Sequence, residues 1–569
     1  MILIKYIPKQ YWRNHPSKVD GYKNQILLSS NNWDDYGSKT SFNMLVVLNE
    51  KEYREWSVRI KIENQGYSAE YLDGLCDKGW SGEFPIPNEE YISQFSDLDF
   101  YKTLIGSVGI TETREVLKIF NDAGYMQNIE KIPKFQDLSN DIIFTNSLIR
   151  DTGAHKAYEE AWKLFEDRVE NEIKDFVLNY FDKDNRVQSI KFNFFDNILP
   201  TDINVLIGSN GIGKSYTLKI ITDYILKIGL GDIRDLERKE ILPFDMRPNF
   251  SNLILVSYSV FEEFYVDVLD KSVKNKDSYK YFGLRERRSK DEKIDDFHKI
   301  SIGKQIPRID ATKAIFKMLY ENYQFGDQIW WVNKFLLAQE TLKKAFQFEY
   351  IAIEKPQIEI EGDYDILEVN NKNYILINEK LERSYNLSNL DFINDKCTIE
   401  FIEENKIIEL SSGQKLFSYI VLNILGELKK ESLILIDEPE LFLHPNLEIE
   451  FIGLLKSILK PFNSKAILAT HSLSIVREIP SRCVHIYKES NEWGLQISNP
   501  PFQTFGADMQ RISTYVFGDK SLTKPFEEWL EAYFQKEDVS AEYFLEHLKG
   551  QINEEMIMDI LRLGKKYGY

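Results

Sequence analysis

The sequence predicts an α/β fold whose central strands are parallel and buried on both faces. Residues 204–208 are a short apolar run that enters a glycine turn, and residues 216–227 then repeat apolar side chains at helical spacing. Residues 432–437 and 465–470 are further apolar runs that each end in a polar residue. Parallel strands end in this way at the edge of the sheet where ligands bind. We therefore expect a functional site at that edge.

The composition is that of an acidic globular protein. Its 569 residues allow two to four domains at roughly 150 residues each. A hydrophobic content of 43% is sufficient for a large core. The formal net charge of −19 repels nucleic acid on average, so DNA binding would need a local basic patch or a partner protein. The charge therefore does not imply a nucleic-acid ligand.

The cysteines and the hydropathy pattern favour a cytoplasmic protein. Cys76, Cys397 and Cys483 are scattered and odd in number, which gives neither metal-ligand spacing nor a disulfide framework and fits a reducing compartment. The apolar start of the chain is too short for a secretion signal. No apolar run approaches roughly 18 residues, so we expect no membrane partner.

The first 186 residues are predicted to form a separate α+β domain. Residues 42–49 and 56–63 resemble strands, whereas residues 97–122 and 154–181 show helical periodicity. This region carries no recognisable chemistry, so the sequence leaves its role open.

The rest of the chain divides into a central domain, an insertion and a tail. The central domain is assigned to residues 187–230 and 401–490, beginning with a strand-like run at 187–194. Residues 231–400 are predicted to be an insertion with helical and β parts, and residues 491–569 a helical C-terminal region. Within the insertion we expect a strand at 253–259, a charged segment at 285–299, helices over 311–348 and short strands over 356–409.

A glycine-rich segment between the first central strand and its helix predicts phosphate binding. Residues 208–215 fit the pattern G-x-x-x-x-G-K-S, in which backbone N–H groups and the start of a helix surround phosphates. Lys214 would reach the β- and γ-phosphates of ATP, and Ser215 would bind Mg²⁺. The candidate binding residues here are Gly208, Ser209, Asn210, Gly211, Ile212, Gly213, Lys214, Ser215 and Tyr216.

An acidic pair follows the apolar run that ends at residue 437. Asp437 is the candidate Mg²⁺ ligand, and Glu438 is the candidate group that orients or deprotonates an attacking water. Taken alone, an apolar run before Asp-Glu is also typical of a surface turn.

Two shorter motifs complete the set. Ser412, Gly413 and Gln414 lie in the segment 410–414, which reads as a helix N-cap and also as a site for a terminal phosphate. His471 follows the apolar run 465–470. A lone histidine at a strand end is more often structural than functional.

The order of these four motifs resembles that of the ATP-binding-cassette (ABC) ATPases. The resemblance covers residues 187 to about 490 and implies a P-loop core with a mixed sheet flanked by helices. It identifies residues 410–414 with the family's signature motif and His471 with its switch histidine. In such ATPases two copies enclose two ATP molecules, which implies a homodimer or a higher oligomer. Ser412 and Gly413 of one copy would then contact the γ-phosphate held by the other, with Gln414 nearby.

The sequence departs from transporter-type cassettes at two points. The strand-like run 253–259 has no clear glutamine at its end. The aromatic residue that would stack on adenine is undecided among Phe192, Phe194 and Phe195, since phenylalanine in a strand is usually a core residue.

The segment after Glu438 resembles the RecF- and SMC-related branch. It reads E-P-E-x-x-L-H-P, with His444 either near a dimer seam or simply at the entry to a helix. Residues 279–288 and 504–518 resemble, more loosely, the ATPase subunit of Septu-type anti-phage systems, which works with a partner nuclease. The arginines at 285–288 are either a nucleic-acid contact or a solvated loop, since acidic residues follow them.

Three functions compete at this point. A defence ATPase would act with a separate nuclease or toxin subunit, because the tail after residue 500 has no Asp-x-Asp set that could hold catalytic metals. A RecF-like repair ATPase would bind DNA in its closed dimer. A transporter motor is the weakest of the three because of the large insertion and the missing glutamine.

Overall fold

The computed structural model describes residues 2–8, 17–30, 39–135, 143–165, 173–196, 198–228, 230–259, 263–266, 278–287, 300–303, 305–356, 363–384, 397–490, 494–517, 528–533, 540–548, 552 and 554–567. The chain forms two compact units, Met1–Ala507 and Asp508–Tyr569.

A seven-stranded sheet forms the centre of the first unit. Its strands, in spatial order, are Tyr279–Gly283, Leu253–Ser257, Leu433–Asp437, Lys465–Thr470, Ile203–Ile207, Val484–Ser490 and Gly494–Ser498. All neighbouring pairs are parallel except the last, which is antiparallel. The sheet is therefore mixed, as expected, and the predicted strands at 432–437 and 465–470 are confirmed.

The register of the central sheet aligns the ends of its strands. Ser257 pairs with Asp437, and Asp437 pairs with Ala469. Thr470 pairs with Ile207, the last residue before the glycine-rich segment. Because the strands are parallel, their polar ends meet at one edge, which we call the carboxyl edge of the sheet.

The helix Lys214–Leu226 and an antiparallel hairpin cover one face of the central sheet. Leu206 and Leu435 from the sheet share a buried core with Leu218 of the helix and with Phe192 of the hairpin. The hairpin strands are Phe176–Phe181 and Val187–Phe192, and a second helix is Leu230–Arg238.

Four further helices pack together beside the sheet. They are Ile306–Phe325, Lys334–Ala345, Ser412–Glu427 and Pro445–Leu459. The first and third approach closely because Gly426 has no side chain, and a Cβ there would lie 2.6 Å from the Cβ of Ala314. Shorter helical segments at this end of the chain are Pro439–Phe442, Lys460–Phe462, Leu473–Arg477 and Ser481–Cys483.

The region predicted as an insertion shares strands with the central sheet. Leu253–Ser257 and Tyr279–Gly283 both lie in that sheet, so the sheet extends beyond residue 230. The helical prediction for 311–348 corresponds to two helices. Five antiparallel strands form a separate sheet in the order Ile366–Val369, Lys372–Leu376, Tyr350–Glu354, Ile399–Glu403 and Lys406–Ile407, with a helix at Glu379–Ser384. Arg285–Arg287 pairs with Ile300–Ile302, and residues 288–299 lie outside the described residues.

The N-terminal part of the chain forms its own sheet. The strands, in spatial order, are Leu3–Tyr6, Gln25–Ser30, Ser41–Leu48, Ser57–Ile62 and Tyr91–Phe95, with Lys51–Tyr53 paired to the third. Its helical segments are Ser68–Asp77, Leu98–Val108, Ile110–Phe120, Ala123–Asn128, Phe144–Leu148, Thr152–Glu160 and Ala161–Phe165. The predicted α+β character of this region and its strands at 42–49 and 56–63 are confirmed.

Two helix predictions in this part need correction. Residues 97–122 form two helices rather than one, because Gly109 adopts a φ of 85° between them. The helix predicted over 154–181 was wrong at its end, since Phe176–Phe181 is a strand. Phe176, Leu178 and Tyr180 are buried in alternation, and pairing with Val187–Phe192 outweighs the local helical pattern.

The second unit is helical where it is described. Its helices are Met509–Phe517, Ala541–His547 and Glu554–Tyr567. Leu530, Ala541, Ile560 and Leu563 form a small buried cluster between them. Across the described part of the chain, no helix combines the length and apolar character that crossing a bilayer requires.

Candidate functional site

The glycine-rich segment forms a tight loop between the strand Ile203–Ile207 and the helix Lys214–Leu226. Gly211 and Gly213 have φ angles of 75° and 109°, which L-residues with side chains rarely adopt. Gly208 lies so close to the strand Val484–Ser490 that a Cβ would sit 2.6 Å from the carbonyl oxygen of Tyr487. The loop shape therefore depends on these glycines.

Lys214 lies at the centre of this loop. Its ammonium donates to the carbonyl oxygens of Gly208 at 3.0 Å and Ser209 at 3.1 Å. The same nitrogen is 2.9 Å from Nε2 of His471. Burial lowers the pKa of Lys214 to about 8, although nearby carboxylates, Glu438 foremost, act in the opposite direction. The fold thus places the buried ammonium of Lys214 inside the glycine-rich loop, where the phosphates of a nucleotide would bind.

Ser215 and Asp437 come together from different elements. The hydroxyl of Ser215 donates to Oδ1 of Asp437 over 2.7 Å. Burial raises the pKa of Asp437 to about 7, opposed mainly by that hydrogen bond. A hydroxyl and a carboxylate oxygen this close are the donor set that Mg²⁺ takes at nucleotide sites, where phosphates and water complete its shell. These two residues fit a magnesium ion.

Glu438 is held in an uncommon backbone conformation. Its φ is 48°, in the left-handed region, and its N–H donates to the carbonyl of Ala469 over 2.8 Å. The turn brings Oε1 to 3.4 Å from Nε2 of His471. The hydrogen bond from His471 is the main cause of a lowered pKa at Glu438. Glu438 is therefore ionised and partly exposed beside Lys214, as a group that orients water needs to be.

His471 stands between a cation and an anion. Nε2 is close to both the ammonium of Lys214 and the carboxylate of Glu438. One imidazole nitrogen cannot accept from the first and donate to the second at the same time. The protonation of this nitrogen therefore decides which neighbour His471 binds, and this suits a group that responds to a phosphate arriving at Lys214.

Glu440 is a site residue that sequence reasoning missed. Its Oε1 accepts from the backbone N–H of His471 over 2.5 Å, and burial raises its pKa. Glu440 thus fixes the strand end that carries the histidine. The signal was present in the sequence, since Glu440 lies two residues after Glu438 and both flank Pro439.

Hydroxyl groups beneath the loop form a second support that the sequence did not reveal. Oγ1 of Thr217 lies 3.2 Å from the carbonyl of Gly213, 2.9 Å from the hydroxyl of Tyr180 and 2.8 Å from that of Tyr487. The three side chains come from a hairpin, a helix and a strand that are distant in sequence. Tyr216, proposed above as a binding residue, directs its hydroxyl toward the carbonyl of Phe181 on the same hairpin.

The segment 410–414 leads into the helix Ser412–Glu427. Ser411 accepts from the N–H of Gln414 at 3.2 Å, and the side chain of Gln414 accepts from the N–H of Ser411 at 3.0 Å. This reciprocal pair is a capping box. Ser412 is exposed and Gly413 is buried at the start of Ser412–Glu427. The N-cap interpretation is confirmed, and contact with a phosphate of another copy stays a prediction.

The remaining candidates divide between core and surface. Phe192 and Phe194 are buried against Phe176, whereas Phe195 is 60% exposed, so Phe195 is the candidate that keeps a ring available for adenine. His444 is exposed, and its carbonyl accepts from the N–H of Leu447 in the first turn of Pro445–Leu459, as the helix-entry interpretation predicts.

The strand next to Asp437 ends without a glutamine. It ends at Ser257, which is fully buried, and the Ser257 hydroxyl has no hydrogen-bond partner in the described part of the chain. The departure from the transporter pattern seen in the sequence therefore persists in the structure.

Comparisons with known proteins found one match to the central part of the chain and one to nearly its whole length. Residues 203–477 match the family described as "AAA domain, putative AbiEii toxin, Type IV TA system". The chain is also 24% identical over 548 residues to Protein ea59 of Escherichia phage lambda, with 94% of this chain and 93% of that protein covered. Residues 203–477 therefore contain a P-loop ATPase domain, to which the loop and acidic residues described above belong.

Two solved structures are similar at 14% identity. One is described as "An inward-facing conformation of a putative metal-chelate type ABC transporter", with a TM-score of 0.23 over 58% of this chain and 82% of that chain. The other is Stu0660 of Streptococcus thermophilus, with a TM-score of 0.24 over 69% of this chain and 93% of that chain. TM-scores this low do not establish a shared overall fold.

Proposed function

We propose that this protein is a Mg²⁺-dependent ATPase of the RecF- and SMC-like branch that dimerises around ATP. The observation that carries the proposal is the meeting of Lys214, Ser215, Asp437, Glu438 and His471 at the carboxyl edge of one sheet. These groups come from three separate chain segments. Each has the type and position that transfer of a phosphoryl group to water requires.

The residues of this edge divide the chemistry among them. The loop N–H groups and Lys214 bind the phosphates, and Ser215 with Asp437 would hold Mg²⁺, which neutralises phosphate charge when bound. Glu438 orients the attacking water and accepts its proton. His471 senses the terminal phosphate. Most of the rate enhancement comes from positioning and from charge stabilisation.

A second copy of the chain would complete the site. Ser412, Gly413 and Gln414 begin a capped helix whose first residue is exposed, and such a helix start attracts anionic groups. The dimer places this helix start of one copy over the ATP that the phosphate loop of the other copy holds.

Mixing two inactive variants tests the shared site. Lys214→Ala removes the phosphate-binding cation, and Gly413→Asp adds a negative charge at the helix start. Each homodimer should be inactive, whereas the mixture should regain up to about half of the activity per heterodimer, because one composite site is intact. A mixture as inactive as its parts, with both variants folded and able to form mixed dimers, contradicts the dimer.

We further propose that the ATPase acts in the cytoplasm as the sensor or regulatory subunit of a bacterial anti-phage complex with a separate nuclease or toxin. The description of the matching family, which names a toxin of a Type IV TA system, supports a role near such systems. Co-expression with the genes next to its own, followed by purification and mass spectrometry, tests this role. A stoichiometric nuclease or toxin is the expected result.

The alternative is a RecF-like repair ATPase that binds DNA in its closed dimer. The net charge of −19 weighs against direct DNA binding. ATP turnover by the purified protein distinguishes the two roles. Stimulation by double-stranded DNA at about 150 mM salt, with no partner purified from the neighbouring genes, favours repair.

A further inference from the structure

A cleft lies behind the ATPase edge, between the N-terminal sheet and the amino ends of the central strands. It consists of two cavities of about 250 Å³ and 460 Å³. Glu55, Trp56, Asp97 and Lys429 line both cavities, so the two adjoin. We call this space the rear cleft. Its size is that of a pocket for a small molecule.

Specific contacts hold the walls of the rear cleft together. Lys429 forms an ion pair with Asp97 at 2.5 Å, and the Thr152 hydroxyl donates to the carbonyl of Ser251 at 3.3 Å. Each contact joins the N-terminal part of the chain to a segment that leads into a central strand. The cleft is therefore a formed feature of the first unit.

The lining of the rear cleft is more basic than the rest of the protein. Eight lysine and arginine side chains and six aspartate and glutamate side chains line the two cavities, an excess of two positive charges. The whole chain has a net charge of −19. A local reversal of sign in an acidic protein attracts anionic ligands.

Two buried donors in the rear cleft lack acceptors. Arg59 is 4% exposed and gives two of its nitrogens to the carbonyl of Leu148 and to Asp151, but its Nε has no partner in the described part of the chain. The indole Nε1 of Trp330 is also buried without a partner there. Buried donors of this kind are rare in proteins, because leaving one unpaired costs about 1 to 3 kcal/mol.

The two cavities differ in chemistry. The smaller is lined by aromatic rings, including Trp56, Trp330 and Trp331. The larger is lined by five cations, including Arg54, Arg59 and Lys280, and by four carboxylates. A ligand that spans both would place a planar ring among the tryptophans and an anionic group among the arginines and the lysine.

We propose that the rear cleft binds a mononucleotide, with its base in the aromatic cavity and its phosphate in the basic one. Asn252 and Lys429 line the cleft just before the strands Leu253–Ser257 and Leu433–Asp437. The second of these strands ends at Asp437. A ligand in the cleft therefore contacts the segment that leads into the acidic pair of the ATPase site.

Binding of AMP to the full-length Lys214→Ala protein tests this proposal, because that change removes the main nucleotide ligand of the phosphate loop. Tryptophan fluorescence and calorimetry report the affinity. Arg54→Glu and Lys280→Glu, introduced separately into this protein, should each weaken AMP binding at least about 10-fold. Both side chains are partly or fully exposed, so the fold tolerates their replacement. Lys406→Glu, at an exposed hairpin outside the cleft, is the matched control and should leave affinity unchanged.

Ribose 5-phosphate and inorganic phosphate identify the ligand class. Both should bind at least about 10-fold more weakly than AMP, since neither carries a base to pack among the tryptophans. The absence of saturable AMP binding up to about 1 mM, or binding that survives both charge reversals, overturns the proposal. Equal affinity for AMP and inorganic phosphate also overturns it.

Discussion

The two ends of the central sheet use charge in different ways. At the carboxyl edge, His471 lies within hydrogen-bonding range of both Lys214 and Glu438, and it cannot satisfy both neighbours at once. At the amino end, Lys156 is paired with Glu431, and both are almost fully buried. The first arrangement can change partners when a ligand arrives, whereas the second holds the N-terminal part of the chain against the sheet.

One strand connects these two ends. Glu431 lies two residues before Leu433–Asp437, and Glu438 follows it. The same five residues therefore join an ion pair that holds the structure together to the acidic pair of the ATPase site. The strand direction therefore separates two tasks: the amino end anchors the N-terminal part of the chain, and the carboxyl end presents the groups of the ATPase site. Four substitutions test this difference between the two ends of the sheet.

Breaking the buried ion pair at the amino end should have the largest effect. Lys156→Met leaves the carboxylates of Glu431 and Glu160 buried without their cation. An uncompensated buried charge costs about 3 to 5 kcal/mol, which urea denaturation measures. Lys118→Met is the matched control. Lys118 also faces two carboxylates but is 42% exposed, so its loss should cost less than about 1 kcal/mol. Equal losses for the two variants would show that burial does not set the strength of the pair.

Removing the cation at the carboxyl edge should abolish turnover while leaving the fold intact. We expect Lys214→Ala to lower the ATP hydrolysis rate about 1,000-fold, because a buried cation that stabilises phosphate charge is lost. Lys219→Ala, on the same helix but paired with Asp223 away from the loop, should retain near-normal activity. Steady-state phosphate release measures both variants. Activity of Lys214→Ala within 10-fold of the unmodified protein contradicts the assigned role.

Neutralising the acidic residue that follows the strand should separate binding from hydrolysis. Glu438→Gln keeps the size of the side chain but cannot accept a proton, so hydrolysis should fall about 100-fold. ATP binding persists, and the protein should accumulate as an ATP-bound dimer in light-scattering chromatography. Asp437→Asn is the informative contrast, since loss of a Mg²⁺ ligand should weaken Mg²⁺-ATP binding instead of trapping a dimer. Normal turnover by Glu438→Gln would rule out its role toward water.

Replacing a buried histidine of the central sheet should produce the smallest of the four effects. His485 is buried with Nε2 3.1 Å from Oδ1 of Asn204, and burial lowers its pKa to about 3. Its unfolded pKa is near 6.5, so the unfolded chain binds the proton more readily, and stability present above pH 6.5 is lost as the pH falls toward 3. Between pH 6.5 and pH 5 the protonation of His485 in the unfolded chain should lower the free energy of unfolding by about 1.5 kcal/mol. This loss of stability should be absent from His485→Gln.

The control for this pH dependence is the unmodified protein. Urea midpoints at pH 6.5 and pH 5 measure both proteins. A His485→Gln protein that loses as much stability on acidification as the unmodified protein contradicts the assigned cause.

The candidate site was largely predictable because its residues follow strands that are themselves visible in the sequence. The strands 203–207, 433–437 and 465–470 are short, largely apolar runs, and their parallel arrangement brings Lys214, Asp437 and His471 to one edge. The helix over 154–181 failed as a prediction for the opposite reason. Phe176, Leu178 and Tyr180 form a strand because a partner strand is available, and local periodicity carries no information about that partner.

The central strands, the glycine loop that needs positive φ angles and the acidic pair can be predicted from the sequence, because each depends on residues adjacent in the chain. Three features appear only in the folded chain: Glu440 anchors His471, Thr217 links two tyrosines beneath the loop, and a basic, aromatic-lined cleft lies behind the sheet. These features join segments far apart in sequence. Their contacts form only when burial of the apolar surfaces draws those segments together, and no local pattern encodes such a meeting.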